Sequence, residues 1–322
     1  MMKVFKFNRI LTYVISRLIS KSSSLIAVYE RRYIEKYSKL PLKHQPVFII
    51  GAPRTGSTFL YQTITNQNNV LYVDNLICLF HKNWFFGFWL SNKLFKQRVH
   101  NCFQSEQGNT GKYGLHAPSE CGAFWYRWLP IDRHFIDFDE LTGQDMREIK
   151  DVISAVSNYF DKPIVFKNLN AGQRMRMISE IFPDAKFIFV RRAPFFNAQS
   201  ILMSKRKLGI PEDQFWSIKP SNFNELERLP WQDQVVQQIY YLENQIVGDA
   251  KYFNKGSLVE VYYSDFNQRT INMISTKLEL VARKDCEPVD IFVNENIVID
   301  KGEVKVLEKS IEKLDWSKLN VK

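Results

Sequence analysis

The first clear pattern along the chain is a short, fully apolar run, Val47-Phe48-Ile49-Ile50, set between Pro46 and Gly51. A run of that length between two breakers predicts a buried strand. Gly51 to Thr58 reads as a turn and Phe59 to about Thr65 as the start of a helix. Three further apolar runs predict strands: Pro163 to Phe166, Lys186 to Val190 and Leu258 to Tyr262. Helical spacing appears between and around them, over Asp145–Tyr159, Met175–Phe182, Pro194 to about Ser204 (Pro in the first turn) and Trp231–Asp249. The aromatic-rich stretch from Leu76 to Phe95 predicts helix with loops, its rings more often core than acceptor wall, and residues 104–119 predict a loop. Strands alternating with helices predict an α/β fold, a three-layer sandwich around a mostly parallel central sheet.

Ahead of the body, Ile10, Leu11, Val14, Ile15, Leu18 and Ile19 fall on one face at helical spacing, with basic residues around them. Charge sharpens this picture. The chain of 322 residues carries a net charge of +10. Ten of its basic residues and only two of its acidic ones lie in residues 1–44, so that segment holds +8 of the total. The expected organisation is a basic amphipathic extension over residues 1–44 and an α/β domain over 45–322. The extension suits either an anionic membrane surface or packing on the protein's own body. The body is nearly neutral, so nucleic acid is not an expected partner. No run of 18 apolar residues predicts a transmembrane helix, and no apolar h-region predicts a secretory signal. The four cysteines form no CxxC pair, which favours reduced thiols. A cytoplasmic protein is expected, with a peripheral position at a membrane as one of the two readings of the extension.

The chemistry concentrates after the first strand. Gly51-Ala-Pro-Arg-Thr-Gly56-Ser57-Thr58 has the spacing of a phosphate loop, but Ser57 stands where a nucleotide-triphosphate loop has Lys. The glycines and the following helix N-terminus still favour an anion, and Arg54 supplies charge. The strand ending at Val190 runs into Arg191-Arg192 rather than an acid that would organise Mg²⁺. Two cation-bearing strand ends predict a ligand with anionic groups at both ends and no metal. Arg191, Lys205, Arg206 and Lys207 are read as mostly solvated charge.

These residues resemble the family of sulfotransferases that use 3'-phosphoadenosine-5'-phosphosulfate (PAPS). Pro53-Arg54-Thr55-Gly56-Ser57-Thr58 resembles its 5'-phosphosulfate loop, and Arg192-Ala-Pro194 with Ser200 resembles its 3'-phosphate element. Lys167-Asn168 with Arg174 is similar to a K-N-P-x-N-x-x-R stretch, although Leu169 replaces the Pro. Pro118-Ser119-Glu120-Cys121 is similar to a P-x-E-[CD] stretch, and Val261 to Phe266 to a late strand end. The resemblance spans roughly Val47 to Phe266. It implies a P-loop-like fold that holds PAPS through Arg54, Thr55, Gly56, Ser57, Thr58, Arg192 and Ser200, and releases 3'-phosphoadenosine-5'-phosphate (PAP) without a metal. A hydroxyl-bearing acceptor, first a glycan or glycolipid, is expected. Glu120 leads as general base, with His116 and Asp74 as rivals, and Lys167 as charge stabiliser. Phe124, Trp125 and Trp128 are expected to line the acceptor pocket. The competing readings are a P-loop kinase or NTPase and a non-catalytic anion-binding scaffold.

Overall fold

The computed structural model describes residues 19, 22–96, 98–286 and 289–320. The amphipathic positions from Ile10 to Leu18 lie outside the described residues. The centre is a five-stranded, all-parallel sheet: β1 (Val47–Gly51), β2 (Leu71–Tyr72), β3 (Ile164–Lys167), β4 (Lys186–Arg191) and β5 (Leu258–Tyr262), in the order β2-β3-β1-β4-β5. The helices are α1 (residues 22–38), α2 (Ser57–Gln67), α3 (Asn75–Leu79), α4 (Trp84–Phe95), α5 (Gly122–Trp125) and α6 (Gly143–Phe160). They continue with α7 (Met175–Ile181), α8 (Pro194–Leu208), α9 (Phe223–Leu226), α10 (Trp231–Asp249), α11 (Gln268–Lys277) and α12 (Lys301–Glu312).

The apolar runs that predicted strands carry side chains to both sheet faces, because successive residues of a strand alternate. Phe48 and Ile50 of β1 join Phe166, Phe187 and Phe189 on one face, against Trp84, Phe85 and Phe88 of α4, Ile149 and Ile153 of α6, and Met175 and Ile178 of α7. Val47 and Ile49 join Val165, Ile188 and Val190 on the other, against Leu60 and Ile64 of α2 and Ile271 and Ile274 of α11. Helices therefore cover both faces, which makes the expected three layers. A third apolar cluster joins α8, α10 and α12 through Ala198, Ile201, Val236, Ile239 and Leu307. The chain beyond residue 270 is thus built into the fold through α11 and α12.

Strand β2 is not announced by the sequence, because its two residues are too few to show a period. The predicted strand from Lys186 extends one residue further, through Arg191. Helix α1 lays Tyr33, Ile34 and Tyr37 on the first core. It is fastened by Glu30, a buried carboxylate that accepts from Asn83 Nδ2 (3.0 Å) and from Phe86 N (3.1 Å) at the start of α4. That is where a helix presents free N–H groups to an acid. Burial still raises the Glu30 pKa.

Two of the charges read as solvated are buried. Arg191 donates to Glu243 Oε2 (2.9 Å), Glu260 Oε1 (2.7 Å) and the Leu319 carbonyl (2.9 Å). Lys205 is fully buried, with Nζ 2.5 Å from the Glu212 carbonyl. Arg191 meets partners far along the chain, and Lys205 reaches a carbonyl just past the end of α8, neither of which strand or helix period reveals. Arg206 pairs with Glu212 and Glu303.

Gly51 closes β1 with φ at +148°, and an added Cβ would sit 2.3 Å from the Val190 carbonyl oxygen. That oxygen belongs to β4 backbone and cannot yield without parting the strands. Gly51→Ala is expected to destabilise the fold by more than about 2 kcal/mol, read as a lowered denaturation midpoint at unchanged slope in urea.

Candidate active site

All five strands run the same way, so their carboxyl ends share one edge of the sheet. β1 is the point where the chain order reverses, with β3 and β2 on one side and β4 and β5 on the other. A crevice forms outside strand ends at such a point. Register sets its width: Ile49 pairs with Lys167 and Gly51 with Val190.

The loop after β1 is bent by two residues in the left-handed region, Arg54 (φ +69°) and Gly56 (φ +82°). Thr55 is buried and its Oγ1 donates to the Ala52 carbonyl at 3.1 Å, so its side chain braces the loop rather than facing the crevice. Gly56 immediately precedes α2, and a Cβ there would strike the Tyr263 ring at 2.5 Å. The free N–H groups of the first turn of α2 thus face a loop that carries a guanidinium, an arrangement that attracts an anion.

The second cation comes from β4. Arg192 lies just past the strand and donates from Nη1 to the Arg54 carbonyl at 3.4 Å, with its guanidinium 4.4 Å from the centre of the Tyr263 ring. Arg54 Nε is 3.4 Å from Ser200 Oγ on α8. Burial, and then the neighbouring charge of Arg192, lower the Arg54 pKa. Among the described residues no carboxylate forms an ion pair with Arg54. Two crowded guanidiniums, one lacking a counter-charge among the described residues, suit this end of the crevice to an anion.

The opposite end is built from Thr58, Glu120 and Lys167. Lys167 terminates β3 and its side chain is 97% buried, while that of Glu120 is 40% exposed. The two form an ion pair. Glu120 is delivered by a segment that follows the end of β2: Pro118 bridges to Asp74 and Ser119 N donates to the Val73 carbonyl at 2.8 Å. Cys121, at φ +44°, then turns the chain into α5. A Cβ added to Gly108 would lie 3.4 Å from both Thr58 Oγ1 and Glu120 Oε1 and 3.7 Å from Lys167 Nζ. A hydroxyl, a carboxylate and an ammonium therefore converge within 4 Å of one point. Arg54, Gly56, Ser57, Thr58, Glu120, Lys167 and Arg192 line a single cleft of about 370 Å³.

Comparison with known proteins settles the lineage. The sequence model of the sulfotransferase family matches residues 46–279. The chain belongs to the sulfotransferase family. It is accordingly a PAPS-dependent sulfotransferase, and its sheet with helices on both faces is that family's P-loop-like fold. The solved structure of sulfotransferase STF9 from Mycobacterium avium is similar at a TM-score of 0.50 and 13% identity, over 79% of this chain and 68% of that one. Sulfotransferase STF1 from Mycobacterium tuberculosis is similar at 0.47 and 14% identity, over 96% of this chain and 86% of that one. At 13% identity the likeness to STF9 concerns the fold alone. No curated protein sequence matches this sulfotransferase significantly.

The two rival bases lie elsewhere. Asp74 is buried and caps α3, accepting from Ile77 N at 2.8 Å, and it also accepts from Ser91 Oγ at 2.6 Å and faces His116 Nδ1 at 3.2 Å. Both line a separate cavity of about 60 Å³. The aromatic residues expected at the acceptor pocket are also displaced. Phe124 and Trp125 sit in the core under the sheet, and Trp128 donates to Glu148 Oε2 at 3.1 Å. Trp84, Phe85 and Phe88 are core as well. The cleft takes its aromatic and apolar surface instead from Phe59, Trp216, Ile218 and Tyr263. Nothing local in the sequence announces Trp216 or Gly108, which reach the cleft on long loops.

Asp74→Ala removes a helix cap and orphans the Ser91 hydroxyl. It is expected to cost about 2–4 kcal/mol of stability, measured by thermal unfolding, while PAP binding to the remaining folded protein stays within about threefold.

Proposed function

We propose that this sulfotransferase moves the sulfuryl group of PAPS to a hydroxyl of a glycan or glycolipid, with Glu120 as general base. The observation that carries this reading is the cleft itself, with two guanidiniums at one end and the Thr58, Glu120 and Lys167 cluster at the other. The loop N–H groups with Arg54, Ser57 and Thr58 suit the 5'-phosphosulfate, and Arg192 with Ser200 suits the 3'-phosphate. The rings of Phe59, Trp216 and Tyr263 offer faces for the purine. Transfer is an in-line displacement: the acceptor oxygen bonds to sulfur as the bridging oxygen departs with the nucleotide. Glu120 takes the hydroxyl proton as that bond forms. Lys167 neutralises charge that develops on the sulfuryl and departing oxygens, where a buried cation acts without being reorganised by water.

The acceptor class follows from space. The cleft volume is near the lower end of the roughly 300–1,000 Å³ of small-molecule pockets. A donor of nucleotide size occupies most of it. The acceptor then offers one hydroxyl at the mouth while its body stays outside, as a chain end or headgroup does.

Calorimetric titration with PAP in the absence of Mg²⁺ tests the donor half. Wild-type binding is expected, weakened at least about tenfold in Arg54→Ala and Arg192→Ala, the scale of one charge-assisted hydrogen bond. Glu120→Gln is expected to keep PAP affinity and lose about 10²–10⁴-fold in turnover of labelled PAPS with a glycan panel. PAP binding with no turnover by the wild type on any hydroxyl would favour an anion-binding scaffold.

The outward face of α1 supports a peripheral position at an anionic membrane. Leu25 and Val28 are 77% and 66% exposed, and Tyr29, Arg31, Arg32 and Lys36 are exposed beside them. Apolar side chains beside cations suit the boundary between headgroups and acyl chains. Among the described residues no helix is long and apolar enough to cross a membrane. In co-sedimentation with vesicles containing anionic lipid, Leu25→Glu with Val28→Glu is expected to reduce binding at least about fivefold at low salt. Equal sedimentation of variant and wild type would remove the membrane from the account.

A further inference from the structure

The strap of residues 289–299 runs across the end of the cleft that holds Arg192. Four hydrogen bonds seat it there. Asn294 N donates to Tyr263 Oη at 3.2 Å. Gln199, the neighbour of Ser200 on α8, donates to the Asn296 carbonyl and accepts from Val298 N, both at 2.9 Å. Arg192 Nη2 donates to the Asn294 carbonyl at 2.7 Å. The strap then places Glu295 on the same guanidinium, with Arg192 Nε 3.3 Å from Glu295 Oε1. The side chains of Arg192 and Glu295 are 11% and 19% exposed, so water screens this pair weakly.

This carboxylate occupies part of the donor surface of Arg192. A guanidinium has five N–H groups, and here Nε goes to Glu295 while Nη1 and Nη2 go to the Arg54 and Asn294 carbonyls. One N–H is left on each Nη, and a phosphate that takes Arg192 side-on, through Nε and Nη2, must displace Glu295. Glu295 is the charged one, and it would repel the incoming anion at close range. Neither carbonyl carries net charge.

We propose that Glu295 is a built-in competitor for the 3'-phosphate, which speeds release of PAP by recapturing Arg192. The inference rests on the reading that Arg192 holds that phosphate. Glu295 touches neither acceptor nor sulfuryl group, so it tunes the nucleotide cycle rather than the transfer step. Its effect is confined to nucleotides with a 3'-phosphate, because AMP binds the loop end without asking Arg192 to change partners. Product release limits turnover in many transferring enzymes, and a competitor held on a strap shortens it. The cost is weaker donor binding, so Glu295 sets KM and turnover in opposite senses of benefit.

The test compares wild type, Glu295→Ala and Gln199→Ala in calorimetric titrations with PAP and with AMP, followed by PAP dissociation in stopped flow. Glu295→Ala is expected to bind PAP about tenfold more tightly, to release it correspondingly more slowly, and to bind AMP as the wild type does. Gln199→Ala, which loosens the strap and leaves both charges in place, is expected to shift PAP affinity in the same direction by a smaller factor. Unchanged or weaker PAP binding in Glu295→Ala overturns the proposal, because the carboxylate then supports the site. An equal gain for AMP also overturns it, since the effect is then not at the 3'-phosphate. Absence of PAP binding in all three proteins removes the donor reading, and the inference with it.

Discussion

The backbone approach of β1 to β4 at Gly51 governs the rest of the molecule. With no side chain at that residue, the end of β1 lies against the Val190 carbonyl, closer than any Cβ would permit. The loop carrying Arg54 then leaves the sheet beside Arg192, near enough for Arg192 to donate to the Arg54 carbonyl. Two like charges are brought together because backbone, not side-chain attraction, sets the spacing. Burial, and after it their mutual repulsion, lower the Arg54 pKa, and an anionic ligand relieves that repulsion. This end of the cleft is thus strained electrostatically in favour of an anion.

The two consecutive arginines show how strand alternation divides structural from functional charge. Arg191 follows Phe187 and Phe189 on one face of β4, where its guanidinium meets the Phe189 ring at 5.5 Å and two carboxylates close over it. Burial pushes the pKa of Glu243, one of these, up to about 7. Arg192 is one residue further, beyond the last pair of the ladder, and turns to the cleft. A one-residue shift would exchange their roles. Arg191 ties β4 to β5, to α10 and to the Leu319 carbonyl, which steadies the strand end from which Arg192 projects.

Much of this was legible in the sequence because the information is local. A strand, a glycine loop and a helix start within a dozen residues define the anion site, and Arg192 with Ser200 are eight residues apart on consecutive elements. Glu120 was legible by its neighbours in a short motif, and it does reach the cleft with Lys167. What stayed hidden depends on contacts between distant segments. Asp74 had the same chemical claim as Glu120, yet its carboxylate is taken by Ile77 N, Ser91 and His116, partners set by how α3 and α4 pack. Phe124 and Trp125 looked like pocket aromatics because they follow Glu120. The tight turn at Cys121 sends them under the sheet instead. Lys205 reads as one of a basic run, and only the fold shows that it is buried with Gln234 of α10 within 3.5 Å.

The cleft is asymmetric in a way that bears on direction. Its transfer end holds one carboxylate already matched by one ammonium, Glu120 with Lys167, so it is near neutral before any ligand arrives. Its nucleotide end has two guanidiniums and, from the strap, a single carboxylate. Net positive charge therefore lies where the proposed reading puts the nucleotide, and neutrality lies where that reading has a hydroxyl lose its proton. A neutral acceptor is not repelled by the transfer end, and proton movement to Glu120 leaves Lys167 free to follow the charge that moves onto the departing oxygen. The same pairing explains why Lys167 tolerates burial at the end of β3: a cation so enclosed persists only with a partner. The partner supplied by the fold is the group that the proposed reaction must protonate, which couples the ammonium's availability to the progress of the transfer.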